Sequence, residues 1–594
     1  MTDAVADPWR KALRLWNVAL HPPEIRNGSA ARIGSFAWFS FPPTVHIDFD
    51  DLHAEGLADH LDTVFAHEIG HHVLAPSTRI ASLKITHLMG RGLSASGLAP
   101  ARLPATAALT ANLWCDILIN NRIVSLQRDS ENPGMIAMWR ILYRPDGPRT
   151  PDPLFWVILR AYEILWSLPA GDLCPVAPPE SAGAQSDSGE PDAPSDAPRT
   201  AAQLTAQLAR LTVRHPVADA QLLAALARSY ATDPIGGALP CAMLLSPYLI
   251  DDPSVDPAGP GGGFCDGTPD IVPTASELDE IMGDRRLSAP PVHPGVNGSK
   301  ATTSSGRTGG QSYGLADTLA LYAGAPRDAV LSAWYQSRAR PWVRPLCEST
   351  PTTERAQSIP GPTELWEVGD DLAELDWPAS LGLAPSMIPG VTTRRRAELP
   401  DDPDREYHEV ELDLYVDSSG SMPHPEQESP PILAGTILAL SVLAAGGHVR
   451  VTSFAGPRQV GGTTDFTRNR AEVMAALLTF FGGGTTFPLD LLDQRYRPRA
   501  LTRGSTHLIV LSDDGLASMF GAGQDVYAVV AARIRPLLAS AALILIATPG
   551  GVDAAARQAG YDVAHVPTVD EVPDVCAGIA QTITNGPARD DRHD

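Results

Sequence analysis

At 594 residues the chain is longer than one hydrophobic core usually organises, which predicts two to four domains. Lys plus Arg number 45 against 69 Asp plus Glu, a formal net charge of -24, and so acidic a surface repels phosphate backbones and argues against a nucleic-acid partner. The six cysteines (Cys115, Cys174, Cys241, Cys265, Cys347, Cys576) contain no CxxC pair, and the first thirty residues are broken by charges and prolines where a signal peptide is continuously apolar.

Residues 32 to about 170 alternate strand-like runs (RIGSFAWFSF, TVHIDF) with helix-like ones, which predicts an α+β unit over 1–170. Within it, LDTVFAHEIGHHVL places His67 and His71 four residues apart. On a helix both imidazoles point the same way and reach one zinc ion, with Glu68 beside them to act on a water. An i+4 row of Leu61, Phe65, Ile69 and Val73 faces the core, while Thr63 and Gly70 leave room on the histidine side. The competing reading is an amphipathic helix with solvent-facing histidines.

Further on, ANLWCDILINNRIV carries a polar row, Asn112, Asp116 and Asn120, between two apolar stripes. Such a row faces inward or lines a cleft, and a carboxylate there needs a partner, so Asp116 is the candidate third zinc ligand. A hydrogen-bonded Asp in a polar network is the alternative.

The Pro-, Ala-, Ser- and acid-rich segment within 171–200 predicts a disordered linker. Residues 201–404 predict a helical and loop-rich middle region, with helices at 201–231 and 314–340 and loops around 253–312. From about 405 to 586 the pattern is regular: strand ELDLYVD, helix ILAGTILALSVLAA, strand HVRVTSF, helix near 470–480, strand THLIVLSD, helix near 524–536, strand AALILIAT, then a last strand and helix. That alternation implies a doubly wound α/β domain with a parallel sheet, followed by a disordered tail at 587–594. The longest apolar stretch, Ile432 to Ala445, is too short to span a bilayer comfortably, so the expectation is a soluble, cytoplasmic, multidomain protein without a membrane partner.

The run Asp417-Ser418-Ser419-Gly420-Ser421 follows directly on strand ELDLYV, so oxygen side chains emerge together where a parallel sheet binds ligands. Such ligands suit a hard cation such as magnesium. GGGTTF at 482–487 and LIVLSDDG at 508–515 follow in order. The Gly-rich stretches lack the Lys-Ser/Thr of a Walker motif, so the chain is not expected to hydrolyse ATP.

HEIGHH followed by a helix reading NxxxDxxIN resembles the N-terminal, zincin-like metallopeptidase domain of bacterial proteins whose C-terminal part is a von Willebrand A-like domain. In that family the helix Asp is taken as a metal ligand, which maps to Asp116. Thermolysin-like zincins instead carry a Glu ligand where this chain has Asn112, which leaves open a supporting role for Asp116 behind a histidine. If the site is active, Glu68 is the general base of a metal-assisted peptide hydrolysis.

Residues 405–586 are similar to the von Willebrand A fold. Its metal ion-dependent adhesion site, holding Mg2+ or Mn2+, maps to Asp417, Ser419, Ser421, Thr485 and Asp513, with Thr486 and Asp514 as neighbours a one-residue shift would promote. TELWEVGDDLAELDWPASL and MIPGVTTRRR look like the connecting segment of such proteins. The resemblance implies a protein partner, either a MoxR-type AAA+ ATPase or a substrate complex. It leaves two other readings open: a non-enzymatic, metal-dependent adaptor with a relic zincin domain, and a chelatase-like subunit.

Overall fold

The computed structural model describes residues 3–26, 36–128, 130, 132–143, 151–179, 214–250, 272–288, 314–351, 359–399, 405–497, 505–514, 516–521, 525–546, 551–566, 571, 574–576, 578 and 579. The chain divides into two units, Met1–Arg338 and Ala339–Asp594. Most of the expected linker, the stretch 201–213 and the expected tail lie outside the described residues. No described helix is long and apolar enough to cross a membrane.

The first unit opens with α1 (Asp3–Trp16) and a three-stranded sheet of β1 (Glu24–Arg26), β2 (Ala37–Ser40) and β3 (Thr44–Asp48), in the order β1-β3-β2. β1 runs parallel to β3 and β2 antiparallel to it. Then come α2 (Phe49–Ala54), α3 (Leu61–Val73), α4 (Arg79–Ala95), α5 (Leu103–Leu126), α6 (Gly134–Leu142) and α7 (Pro153–Trp166). Starts are set locally: Asp48, Thr78 and Asp152 cap α2, α4 and α7 by accepting backbone N–H bonds.

Further described helices of this unit are α8 (Pro216–Ser229), α9 (Pro234–Ile250), α10 (Ala275–Gly283), α11 (Arg285–Ser288) and α12 (Leu315–Leu321). α13 (Arg327–Ala339) runs to the division between the units. α9 packs on α4 and α5, and α8 on α7, so helices from the expected middle region help to enclose the helices of the first 170 residues. Residues 275–288 are helical where a Gly/Pro/Ser-rich loop is expected around them. Thr274 and Glu277 form a reciprocal capping box, and Leu278 and Ile281 bury the apolar face. Arg79 binds Glu277, and Lys84 binds Glu280 and Asp284, which fastens α10 and α11 to α4.

The second unit contains two hairpin-like pairs and one large sheet. β4 (Glu348–Pro351) pairs with β7 (Arg405–His408), and β5 (Ile359–Leu365) pairs with β6 (Arg394–Leu399) around a short helix, α14 (Trp377–Leu383). The large sheet comprises β8 (Val410–Asp417), β9 (His448–Phe454), β10 (Val460–Gly462), β11 (Ser505–Ser512), β12 (Ser540–Ile546) and β13 (Asp562–Val566). Its order is β10-β9-β8-β11-β12-β13, parallel except for the edge strand β10. The helices between are α15 (Pro430–Ala444), α16 (Arg470–Leu477), α17 (Leu489–Tyr496), α18 (Ala517–Phe520), α19 (Asp525–Ile534) and α20 (Asp553–Gln558). A mixed α/β chain with a mostly parallel C-terminal sheet is therefore what folds. The run LIVL of β11 lacks alternation because both faces of that strand are buried. A charged pair lies inside: Asp413 and Arg450 stand opposite each other on β8 and β9 and bond at 2.5 and 3.0 Å.

Candidate metal centres

In the first unit, α3 and α5 cross closely because Gly70 has no side chain. A Cβ built there lies 2.5 Å from Cγ2 of Ile119 on α5 and 3.1 Å from the Trp16 ring. That approach places His67 and His71, one turn apart on α3, against Asp116 of α5. The two Nε2 atoms are 3.2 Å apart, and each is 3.3 Å from Oδ1 of Asp116. The edges of a tetrahedron of ligands around zinc at 2.0–2.1 Å measure about 3.3 Å, so the triangle has the dimensions of three zinc ligands.

The outer hydrogen bonds fix the chemistry of the inner atoms. Nδ1 of His71 faces the Ala75 carbonyl at 3.0 Å, and Nδ1 of His67 faces Oδ1 of Asn120 at 2.7 Å. Both partners are acceptors, so each Nδ1 carries a proton and each Nε2 is turned towards Asp116, where it can ligate a metal in place of a proton. Asn120 is oriented in turn by Nδ2 donating to the Tyr162 hydroxyl at 2.8 Å, and Asn112 reaches the second oxygen of Asp116 at 3.4 Å. Oδ1 of Asp116 is buried, with the two imidazole nitrogens at 3.3 Å as its contacts. Three potential ligand atoms thus converge on one point, where a shared proton or a cation makes the arrangement favourable. This buried group can hold a metal ion.

Burial opposes charge on both partners, yet the hydrogen bonds and charge of Asp116 raise His67 above its ordinary range, and the two histidines hold Asp116 below the usual carboxylate range. A proton bound between these groups therefore competes with a metal ion for the same position. His71 also stacks on Phe39, ring centroids 4.3 Å apart. A cavity of ≈ 10 Å³ lies beside it, lined by Phe39, His71, Ile85 and Cys115 among others, and holds one water at most.

One detail of the helix wheel differs from expectation: Val73, assigned to the core row, is 38% exposed. His67, Glu68 and His71 are fully buried, which excludes the competing reading of solvent-facing histidines. The wheel separates two sides of α3, whereas α1, the sheet and α5 enclose it from several directions.

In the second unit, β8 is followed by β9 on one side and β11 on the other, so the strand order reverses between β8 and β11, where open α/β sheets bind ligands. Asp417 ends β8 and Asp513 follows β11. Oγ of Ser421 donates to Oδ1 of Asp513 at 3.1 Å and lies 3.2 Å from Oγ of Ser419, whose N–H donates to Oδ1 of Asp417 at 2.9 Å. Oxygen ligands of an octahedral magnesium ion are about 2.9 Å apart, close to the Ser419–Ser421 and Ser421–Asp513 separations of 3.2 and 3.1 Å.

Asp514 is engaged elsewhere, accepting from the Leu516 N–H at 2.8 Å. Thr485 lies half-buried on the loop 482–488, and no hydrogen bond joins it to the cluster among the described residues. The loop itself is tied in: the Gly482 N–H donates to the Ser418 carbonyl, and the Gly483 carbonyl accepts from the Gly420 N–H, both at 2.9 Å. Gly482 and Gly483 adopt φ of 70° and 89°, which lets the backbone turn there. A residue absent from the sequence reading is Ser512, which donates to Oδ2 of Asp417 at 2.6 Å. Only its place at the end of β11 could have signalled it. Burial raises Asp417 above the usual carboxylate range, aided by the charge of Asp513, while the bonds from Ser512 and Ser419 counteract this.

No protein-family model matches the chain, and no curated protein matches it. The reading of both sites rests on their own geometry and on the motifs.

Proposed function

We propose that the first unit is a zincin-like zinc centre of the HExxH type and that the second is a von Willebrand A-like domain that binds a protein partner through magnesium or manganese. The observation that carries the proposal is the convergence of His67, His71 and Asp116 at 3.2–3.3 Å, with both Nδ1 protons committed outward, next to Glu68. His67, His71 and Asp116 hold the zinc; bound there, it supplies Lewis acidity towards a peptide carbonyl. Glu68 takes the proton of the attacking water and returns it to the leaving amine. Asn120 and the Ala75 carbonyl keep the imidazoles in register, and Asn112 steadies Asp116. The partner suggested by the resemblance is a MoxR-type AAA+ ATPase or a substrate complex.

A second, non-enzymatic reading is favoured by the burial of all four residues and a neighbouring cavity no larger than a water. Zinc would then be structural and the protein a metal-dependent adaptor. Elemental analysis of protein purified without chelators should give one zinc per chain, absent in His67→Ala and kept in Glu68→Gln; a zinc-free wild type sinks the metal reading altogether. Casein cleavage, assayed with and without the partner, separates the two. Under the enzymatic reading Glu68→Gln loses at least about a hundredfold in rate, as removal of a general base does. Equal rates with zinc retained establish the structural reading.

A further inference from the structure

Eight of the nineteen exposed large apolar side chains among the described residues fall between Leu365 and Val391 of the second unit. Single exposed apolar residues are ordinary, but a concentration within 27 residues is not. Val368 is 82% exposed, Leu372 66% and Val391 61%, while Trp377 and Leu381, four apart on α14, present half their surface on one helix face.

A braced scaffold displays these side chains. Trp366 is buried; its Nε1 donates to the Asp371 carbonyl at 2.9 Å, and its own carbonyl accepts from the Gly390 N–H at 2.9 Å and from Oγ1 of Thr393 at 2.6 Å. Asp371 and Asp376 cap the two short helical turns.

The surround is acidic. Residues 364–396 contain Glu364, Glu367, Asp370, Asp371, Glu374 and Asp376 against only Arg394, Arg395 and Arg396, a net charge of -3. Arg395 is already engaged by Glu364, Asp370 and Glu374, and Arg396 by Asp376. Anionic lipid is repelled by such a rim, whereas an apolar surface flanked by Lys or Arg is attracted to it. We infer that this segment is a docking surface for a protein partner that presents apolar side chains within a basic border. The contact goes beyond the magnesium-dependent one, because none of its residues belongs to a metal cluster, and it persists in EDTA.

The test uses the full chain in EDTA with two labelled helical peptides of equal length, one of leucine and lysine and one of leucine and glutamate, followed by fluorescence anisotropy. A variant combining Leu372→Ser, Trp377→Ser and Leu381→Ser keeps every charge of the protein. A second, Val368→Ser with Val391→Ser, covers loss of folding in the first. The Leu/Lys peptide should bind wild type at least tenfold more tightly than the Leu/Glu peptide does, and at least tenfold more tightly than it binds either variant, while slowing hydrogen exchange in 365–391. Affinity unchanged in both variants reduces the association to general charge attraction and overturns the inference. So does a wild-type dimer that the substitutions convert to monomer, which assigns the surface to a second copy, or stronger protection of 365–391 by phosphatidylglycerol vesicles than by the Leu/Lys peptide.

Discussion

At the proposed magnesium site, Ser512 is placed to act without touching the ion. Its hydroxyl donates at 2.6 Å to the Asp417 oxygen not held by the Ser419 N–H, so one carboxylate is fixed at both ends before any cation arrives. Burial already disfavours the charge on Asp417, and removing the Ser512 bond leaves that cost less opposed. Ser512→Ala should therefore weaken magnesium binding about tenfold, the usual cost of losing an outer-sphere hydrogen bond, while Asp417→Ala should abolish it. Isothermal titration with magnesium checks both, and equal affinity of Ser512→Ala and wild type would remove Ser512 from the site.

Between elements, the decisive contact is the crossing of α3 and α5. Three ligand atoms from two helices meet only if the helix backbones approach closely, and Gly70 against Ile119 permits it. Gly70→Ala places a methyl group 2.5 Å from Cγ2 of Ile119, so α3 must move away or Ile119 must change rotamer. Although alanine is the better helix former, this overpacking should cost about 1–3 kcal/mol and lower zinc occupancy, since the triangle of ligands opens with the helices. Thermal unfolding alongside elemental analysis reads both effects. Companion Ile119→Ala removes Cγ2, the atom the new methyl group meets, and should recover part of the zinc occupancy; full zinc and unchanged stability in Gly70→Ala alone would show that the crossing is not what assembles the site.

The whole first unit should be sensitive to mild acid for a reason separate from metal release. Burial, with the nearby charge of Arg91, lowers His87 to about 3, and its Nδ1 meets the Tyr322 hydroxyl at 2.9 Å. The unfolded chain takes up this proton near the ordinary value of 6.5, while the folded chain refuses it until about 3. Unfolding therefore binds a proton throughout that window, and stability falls as pH drops from 6.5 towards 3, by up to about 1.4 kcal/mol per pH unit. His87→Gln keeps a partner for Tyr322 and cannot titrate, so its urea midpoint should decline less steeply than that of wild type between pH 6.5 and 4.5. Parallel declines would assign the acid sensitivity to other groups.

The sequence by itself determined what is local and periodic. Strands β11 and β12 are legible because both faces are buried and their runs are almost continuously apolar, β8 and β9 because apolar residues recur along them despite Asp413 and Arg450, and His67, His71 and Asp116 because spacing on one helix and an inward polar row are linear signals. The DSSGS loop could be placed at a strand's carboxyl end on the same grounds. Only the tertiary structure decided that Asp116 turns one bare oxygen to both imidazoles, that Asp513 and not Asp514 meets Ser421, and that Ser512 secures Asp417. It also decided that the histidine side of α3 is closed, because the elements covering it come from α1, the sheet and α5, whose packing leaves no period within thirteen residues of helix. The helices α8 and α9 looked from composition like a separate region, yet they pack on α7, α4 and α5. Periodicity tells which face of a helix is apolar; which other helix covers that face depends on residues about fifty to well over a hundred positions away in the chain.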